Sequence, residues 1–168
     1  LVINEVDFLR TRMIEVSETI HANPEVGLKE YKACELLSSE LRKHGFAVEL
    51  GIAGMPTAFR ATLSTGRSGP NVAYLAEYDA LPQIGHGCGH NIVATSAVFS
   101  AIALGELSKD LTGQITVLGT PDEEGSGGKI PIIKAGFFDD LDAAIMSHPW
   151  NHTSPWMPSV AVDSLTIE

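Results

Sequence analysis

Along the first fifty residues the apolar positions recur at helical spacing. Val6, Leu9, Met13, Ile14, Val16 and Ile20 fall at mixed intervals of three and four, which predicts an amphipathic helix over 5–20 that ends before Asn23-Pro24. A second helix is predicted from about Leu28 to His44, with Tyr31, Cys34, Leu37 and Leu41 on one face and Gly45 as its stop. The pattern then shortens to strands at Phe46 to Leu50, Thr57 to Leu63 and Val72 to Glu77, the last two separated by the turn-rich stretch 64–70. Residues 91–108 are dense in Ala and other small residues, the composition of a helix that packs closely on a sheet. Gln114 to Leu118 forms a short apolar strand, 129–135 a helix after a Gly-rich turn, and Ala143 to Met146 a last strand. This alternation of strand and helix predicts an α/β protein whose mainly parallel sheet carries helices on both faces.

The prediction has a positional consequence. In such sheets ligands bind at the carboxyl ends of strands, and three loops follow predicted strands here: 78–90, 119–128 and 147–156. The first holds Glu77-Tyr78-Asp79-Ala80-Leu81-Pro82 at its start and His86-Gly87-Cys88-Gly89-His90-Asn91 at its end. Cys88 and His90 suit a borderline-soft ion such as zinc, although a short Gly-rich turn with incidental polar residues reads the same way. The second, Gly119-Thr120-Pro121-Asp122-Glu123-Glu124-Gly125, sets three acids just past an apolar strand. A nearby cation relieves their repulsion, and adjacent carboxylates pointing apart let one bind metal while the other accepts a proton. Taken alone it is also an ordinary solvated acidic turn. It lacks the Gly-Lys-Ser/Thr ending of a phosphate-binding loop. In the third, Ser147-His148-Pro149-Trp150-Asn151-His152, the strand carries His148 to its end as a candidate ligand, whereas His152 reads as a packing residue.

Composition bears on these readings by exclusion. With 168 residues, 11 Lys and Arg against 21 Asp and Glu and a net charge of −10, the chain is acidic enough to disfavour nucleic acid and anionic membrane surfaces as partners. No apolar run approaches the roughly 18 residues of a membrane span, and Glu5, Asp7 and Arg10 break up any apolar leader. Two cysteines, Cys34 and Cys88, read as thiols in a reducing, cytoplasmic setting rather than as a disulfide framework.

Together the three clusters are far more specific than any one of them. The chain resembles the co-catalytic zinc metallopeptidase family of aminoacylases, carboxypeptidases and aminobenzoyl-glutamate or indoleacetyl-amino-acid amidohydrolases. The resemblance runs from His21-Ala22-Asn23-Pro24-Glu25 through Asp79-Ala80-Leu81-Pro82, the His86 to Asn91 box and Glu123-Glu124 to His148-Pro149. Gly85-His86-Gly87-Cys88-Gly89-His90-Asn91, with Gly119-Thr120-Pro121 ahead of the acids, is most similar to the aminobenzoyl-glutamate hydrolase and β-alanyl-lysine dipeptidase branch. It implies a three-layer α/β/α sandwich with a mainly parallel mixed sheet, of which 1–158 form the N-terminal part of the catalytic domain. Residues 159–168 then begin a lid, or dimerisation, domain, with Val160 to Glu168 as its first strand.

The resemblance also implies roles. Cys88 matches a ligand that bridges two divalent metal ions, His90 and His148 match ligands of one ion, and Glu124 matches a ligand of the other. Zinc is favoured by the thiolate, with manganese or cobalt as alternatives. Glu123 matches the general base toward water whose pKa the metal lowers from about 15.7 toward roughly 7. Asp79 matches the acid that orients a ligand, while the role of Glu77 stays open, and His21 is read as structural. The implied reaction is hydrolysis of the amide of an N-acyl amino acid or dipeptide, with homo-oligomer formation through the lid. Two alternatives stay open: a non-catalytic metal-binding module, and a cysteine hydrolase using Cys88 with His90 or His86.

Overall fold

The computed structural model describes residues 2–155. Among them the chain forms α1 (Val2–Ala22), α2 (Tyr31–Lys43), β1 (Ala47–Leu50), β2 (Phe59–Ser64), β3 (Asn71–Ala76), α3 (His90–Glu106), β4 (Gln114–Gly119), α4 (Lys129–Lys134) and β5 (Ala143–Ile145). The predicted helices and strands are all present, in the predicted order. The expected lid strand at 160–168 lies outside the described residues. No helix among the described residues is long and apolar enough to cross a membrane.

The strands line up as β1-β2-β4-β3-β5. β1 runs antiparallel to β2 and β2 antiparallel to β4, whereas β3 is parallel to both β4 and β5. Among the described strands β2 alone is therefore reversed, and the mixed sheet is mainly parallel. The register pairs Ala76 with Gly119 and Tyr74 with Ile145, so β3, β4 and β5 end side by side. That shared edge gathers the three loops singled out by sequence.

Burial on both faces of β4 explains the layers. Ile115 and Val117 join a core with α1, α2 and α3, while Leu118 joins a second core with Ile52, Ile132, Phe137 and Phe138 on the opposite face. Each such side chain, fully buried, contributes about 1.5–3 kcal/mol. The helix α3 lies on β3 and β4 and is itself covered by α1. It therefore has no single apolar stripe, and its Ala94, Ala97, Ala101 and Ala103 keep the layers close.

Helix boundaries differ from the periodic reading in two places. The first helix extends over 2–22, and Ile14 falls off its buried stripe at 47% exposure. The second begins only at Tyr31, because Leu28 takes a left-handed φ of 59°. Its first turn is capped from outside: the Glu25 carboxylate accepts the backbone N–H groups of Lys32 at 2.9 Å and Ala33 at 3.0 Å. Tyr31, expected on the apolar face, is consequently exposed while Cys34, Leu37 and Leu41 are buried.

Candidate metal centre

Where β3 runs out, its alternation continues for three residues and sorts them to opposite sides. Tyr78 turns into the core, where its ring stacks on Phe59 and its hydroxyl donates to the Thr57 carbonyl at 2.5 Å. Glu77 and Asp79, each 1% exposed, turn the other way toward the first residue of α3, His90. Gly89 precedes that helix with φ of 79°, and a Cβ there would stand 2.9 Å from Pro149 Cγ. A glycine is thus needed both for the turn and for the approach of the 147–150 loop. His148, carried by that loop, meets the His90 ring edge-on at 5.6 Å between centroids.

The two nitrogens of His90 have different surroundings. Nδ1 lies 3.0 Å from the Asp79 carbonyl and 3.1 Å from its Oδ1, both acceptors, which assigns the proton to Nδ1. Nε2 is left facing Glu77 Oε2 at 3.3 Å, Glu123 Oε2 at 3.7 Å and Glu124 Oε1 at 3.8 Å. Neither Nε2 nor Glu77 Oε2 has a hydrogen-bond partner, although both are buried. Buried polar atoms without partners are costly, and a cation among these atoms removes the cost. Ligand atoms of Glu77, His90 and His148 lie within 4.8 Å of one another, and so do those of His90, Glu123 and Glu124. The donor set therefore fits divalent ions, with His90 common to both groups.

The charges of the site show in its proton affinities. Burial lowers that of His90, but the bond to Asp79 and the charges of Asp79, Glu77 and Glu124 outweigh it and raise its pKa. Burial works upward on Asp79, whereas His90 and the Glu124 N–H, 2.9 Å from Asp79 Oδ2, bring its pKa down. Glu123 is raised by burial and by the charges of Glu77 and Glu124, against the pull of Lys129 and His90. Cys88 is pushed up to about 11, first by the adjoining Glu124 carboxylate, which favours the protonated thiol, then by burial and further carboxylate charge.

Of the residues expected at the site, Asp79, His90, Glu123, Glu124 and His148 are thus brought together. Cys88 stands beside Glu124 and shares an open groove of about 470 Å³ with His148, Trp150 and Asn151, outside the two convergent groups. His152 is exposed, its Nδ1 on the Asn151 side chain at 2.6 Å. His21 and His86 face each other at 6.2 Å, outside the two convergent groups. Lys129 is missed by the sequence reading although its ammonium donates to Glu77 Oε1. It is the only basic residue between Lys109 and Lys134, a detectable signal in so acidic a stretch.

Comparisons with known proteins bear on the family and the fold. Residues 73–163, more than half of the chain, match the profile of peptidase family M20/M25/M40. The chain is 36% identical to the Xaa-Arg dipeptidase of Mus musculus, over 97% of its own length and 41% of that protein. It is 35% identical to a p-aminobenzoyl-glutamate hydrolase chain of Escherichia coli, over 83% of its own length and 33% of that protein. The chain therefore spans about two fifths or less of these relatives. In fold it is similar to a dinuclear metal-binding peptidase of Bacillus subtilis, with a TM-score of 0.74 and 22% identity over 82% of this chain and 42% of that one.

Proposed function

Because the chain belongs to peptidase family M20/M25/M40, we propose that it forms the N-terminal part, residues 1–158, of the catalytic domain of a metal-dependent hydrolase. Residues 159–168 begin the lid through which the whole protein dimerises. The substrate is the amide of an N-acyl amino acid or a dipeptide, a class in keeping with the names of the mouse and Escherichia coli relatives. The unpaired Cys34 and Cys88 fit a cytoplasmic setting. The observation that carries the hydrolase reading is the buried, unpartnered His90 Nε2 facing three carboxylates.

His90, His148, Cys88 and Glu124 hold two divalent ions, zinc being favoured by the sulfur, and Glu77 adds an oxygen to the set. Bound there, the ions supply Lewis acidity toward a carbonyl and toward water. The remaining work belongs to the chain. Asp79 holds the His90 ring by Nδ1 and leaves Nε2 free to ligate. Glu123, with its proton affinity already raised, takes a proton from the attacking water and returns it to the departing amine nitrogen. Glu124 serves as a ligand while its neighbour cycles. A thiol at about 11 is a poor nucleophile, which speaks against the cysteine-hydrolase alternative.

The test is hydrolysis of N-acyl amino acids and dipeptides by the full-length protein before chelation, after it, and after zinc is restored. Activity that disappears and returns with the metal supports the reading. Activity that survives chelation but not thiol alkylation replaces it with the cysteine hydrolase, and tight zinc without turnover replaces it with a binding module.

A further inference from the structure

One buried carboxyl takes no part in the chemistry above. Glu30, immediately before α2, is 0% exposed, and no cation is among its hydrogen-bond partners. Its Oε1 accepts the N–H groups of Leu28 at 3.0 Å and Asp122 at 2.9 Å, and its Oε2 accepts the Thr57 hydroxyl at 2.8 Å. Thr57 in turn takes the Tyr78 hydroxyl on its carbonyl, so the chain of bonds reaches from the end of β3 to the loop after β4.

Asp122 is a demanding residue to hold. It has a left-handed φ of 58°, and it stands directly before Glu123 and Glu124. Its side chain accepts the Ser126 N–H at 3.0 Å, while its carbonyl accepts the N–H groups of Gly127 at 3.0 Å and Gly128 at 3.1 Å. The N–H of Asp122 reaches outside the loop, and Glu30 receives it at 2.9 Å. A second contact comes from the same segment: a Cβ on Gly27 would stand 1.8 Å from Asp122 Oδ1. Two residues earlier the Glu25 carbonyl accepts the Ala80 N–H at 2.8 Å, one residue past Asp79. Segment 25–30 therefore grips both loops that face His90.

We propose that Glu30 is a positioning residue: its carboxyl fixes the backbone of Asp122 and thereby sets Glu123 and Glu124 against His90. The consequence for turnover rests on the hydrolase reading, whereas the consequence for the Asp122 backbone does not. What matters is the reach of the side chain, not its charge. Glutamine has the same reach and keeps an oxygen for both N–H groups, with Thr57 turning to accept from its NH2. Aspartate keeps the charge but is one methylene too short.

The experiment compares Glu30→Gln and Glu30→Asp with the unaltered full-length, zinc-loaded protein, below its unfolding temperature. Amide hydrogen exchange at Asp122 and steady-state kinetics are the readouts. Glu30→Gln is expected to keep the Asp122 N–H protected and kcat within about threefold. Glu30→Asp is expected to exchange at least about tenfold faster there and to lose at least about tenfold in kcat, with KM within about twofold, because a base displaced by a fraction of an ångström fails in the chemical step. A folded Glu30→Asp with normal exchange and kcat overturns the proposal, and so does Glu30→Gln that loses kcat while Asp122 stays protected. Should Glu30→Asp not fold, Thr57→Val, which removes one of the three donors, decides by the same readouts. If the unaltered protein hydrolyses nothing, the hydrolase reading falls and the exchange at Asp122 alone decides.

Discussion

Buried carboxylates in two regions of the molecule are balanced in opposite ways. On α2, Glu40 is 2% exposed and receives the Arg12 guanidinium at 2.6 Å and the Lys43 ammonium at 2.8 Å. Its charge is answered by cations built into the chain. At the strand ends, Glu77 and Asp79 are equally buried and crowd with Glu123 and Glu124 around His90. Their ion-pair partners among the described residues are Lys129, on Glu77, and His90 itself. Four acids thus face one fixed cation and one imidazole. Uncompensated buried charge is unfavourable for a fold, so the buried pair Glu77 and Asp79, with the more exposed Glu123 and Glu124 beside them, suits an exchangeable cation.

The largest expected effect separates the acids within that second group. Replacing Glu123 with Gln removes the proton acceptor but not the ligands, so kcat should fall about a thousandfold or more while metal content stays near that of the unaltered protein. Turnover close to normal in this variant overturns the assignment of the base. Loss of metal along with activity would instead make Glu123 a ligand and erase the division of labour between it and Glu124.

A second measurement asks what the exchangeable cation displaces. Without metal, His90 holds its proton above the usual imidazole range and Cys88 is a thiol up to about 11. Both must lose a proton to bind metal at these atoms. Zinc binding at pH 6, followed calorimetrically in buffers of different ionisation enthalpy, should therefore release about two protons, and affinity should rise with pH from 6 through neutrality, the Cys88 thiol still giving up its proton there. Release of about one proton points to Cys88 standing aside, which its place outside the two convergent groups makes the informative outcome. No release removes His90 as well.

Much of this is legible in the chain because it is periodic or local. The strands, the small-residue helix α3 and the order of loops follow from spacing alone, and parallel β3, β4 and β5 bring the three loops to one edge. What escapes depends on partners distant in sequence. Periodicity misplaces the start of α2 because its cap, Glu25, lies seven residues before Lys32 and outside the helix. Glu77 has no role assignable from sequence because its neighbours His90, His148 and Lys129 come from three other segments. Glu30 reads as one more polar residue in the predicted helix, since its partner Asp122 is 92 residues away.

The smallest expected effect concerns Glu40 and tests the other side of the comparison. Burial raises the Glu40 carboxyl, but the hydrogen bonds from Arg12 and Lys43 outweigh it and leave its pKa below the usual 4.5. A carboxylate depressed on folding stabilises the protein above its unfolded pKa, and that contribution disappears as pH falls through the folded value. Arg12 is 43% exposed, so its share is screened, and Arg12→Met should cost about 1 kcal/mol at pH 7. In denaturant unfolding the difference between the two proteins should be largest near neutral pH and shrink in acid, as Glu40 protonates first in the variant and then in the unaltered protein. Metal content and kcat should not change, because Glu40 is answered within the helical layer and shares no partner with His90. A variant that lost metal would show that the two groups of carboxylates are coupled through α1 and α3, and that the balance at Glu40 is not a purely local one.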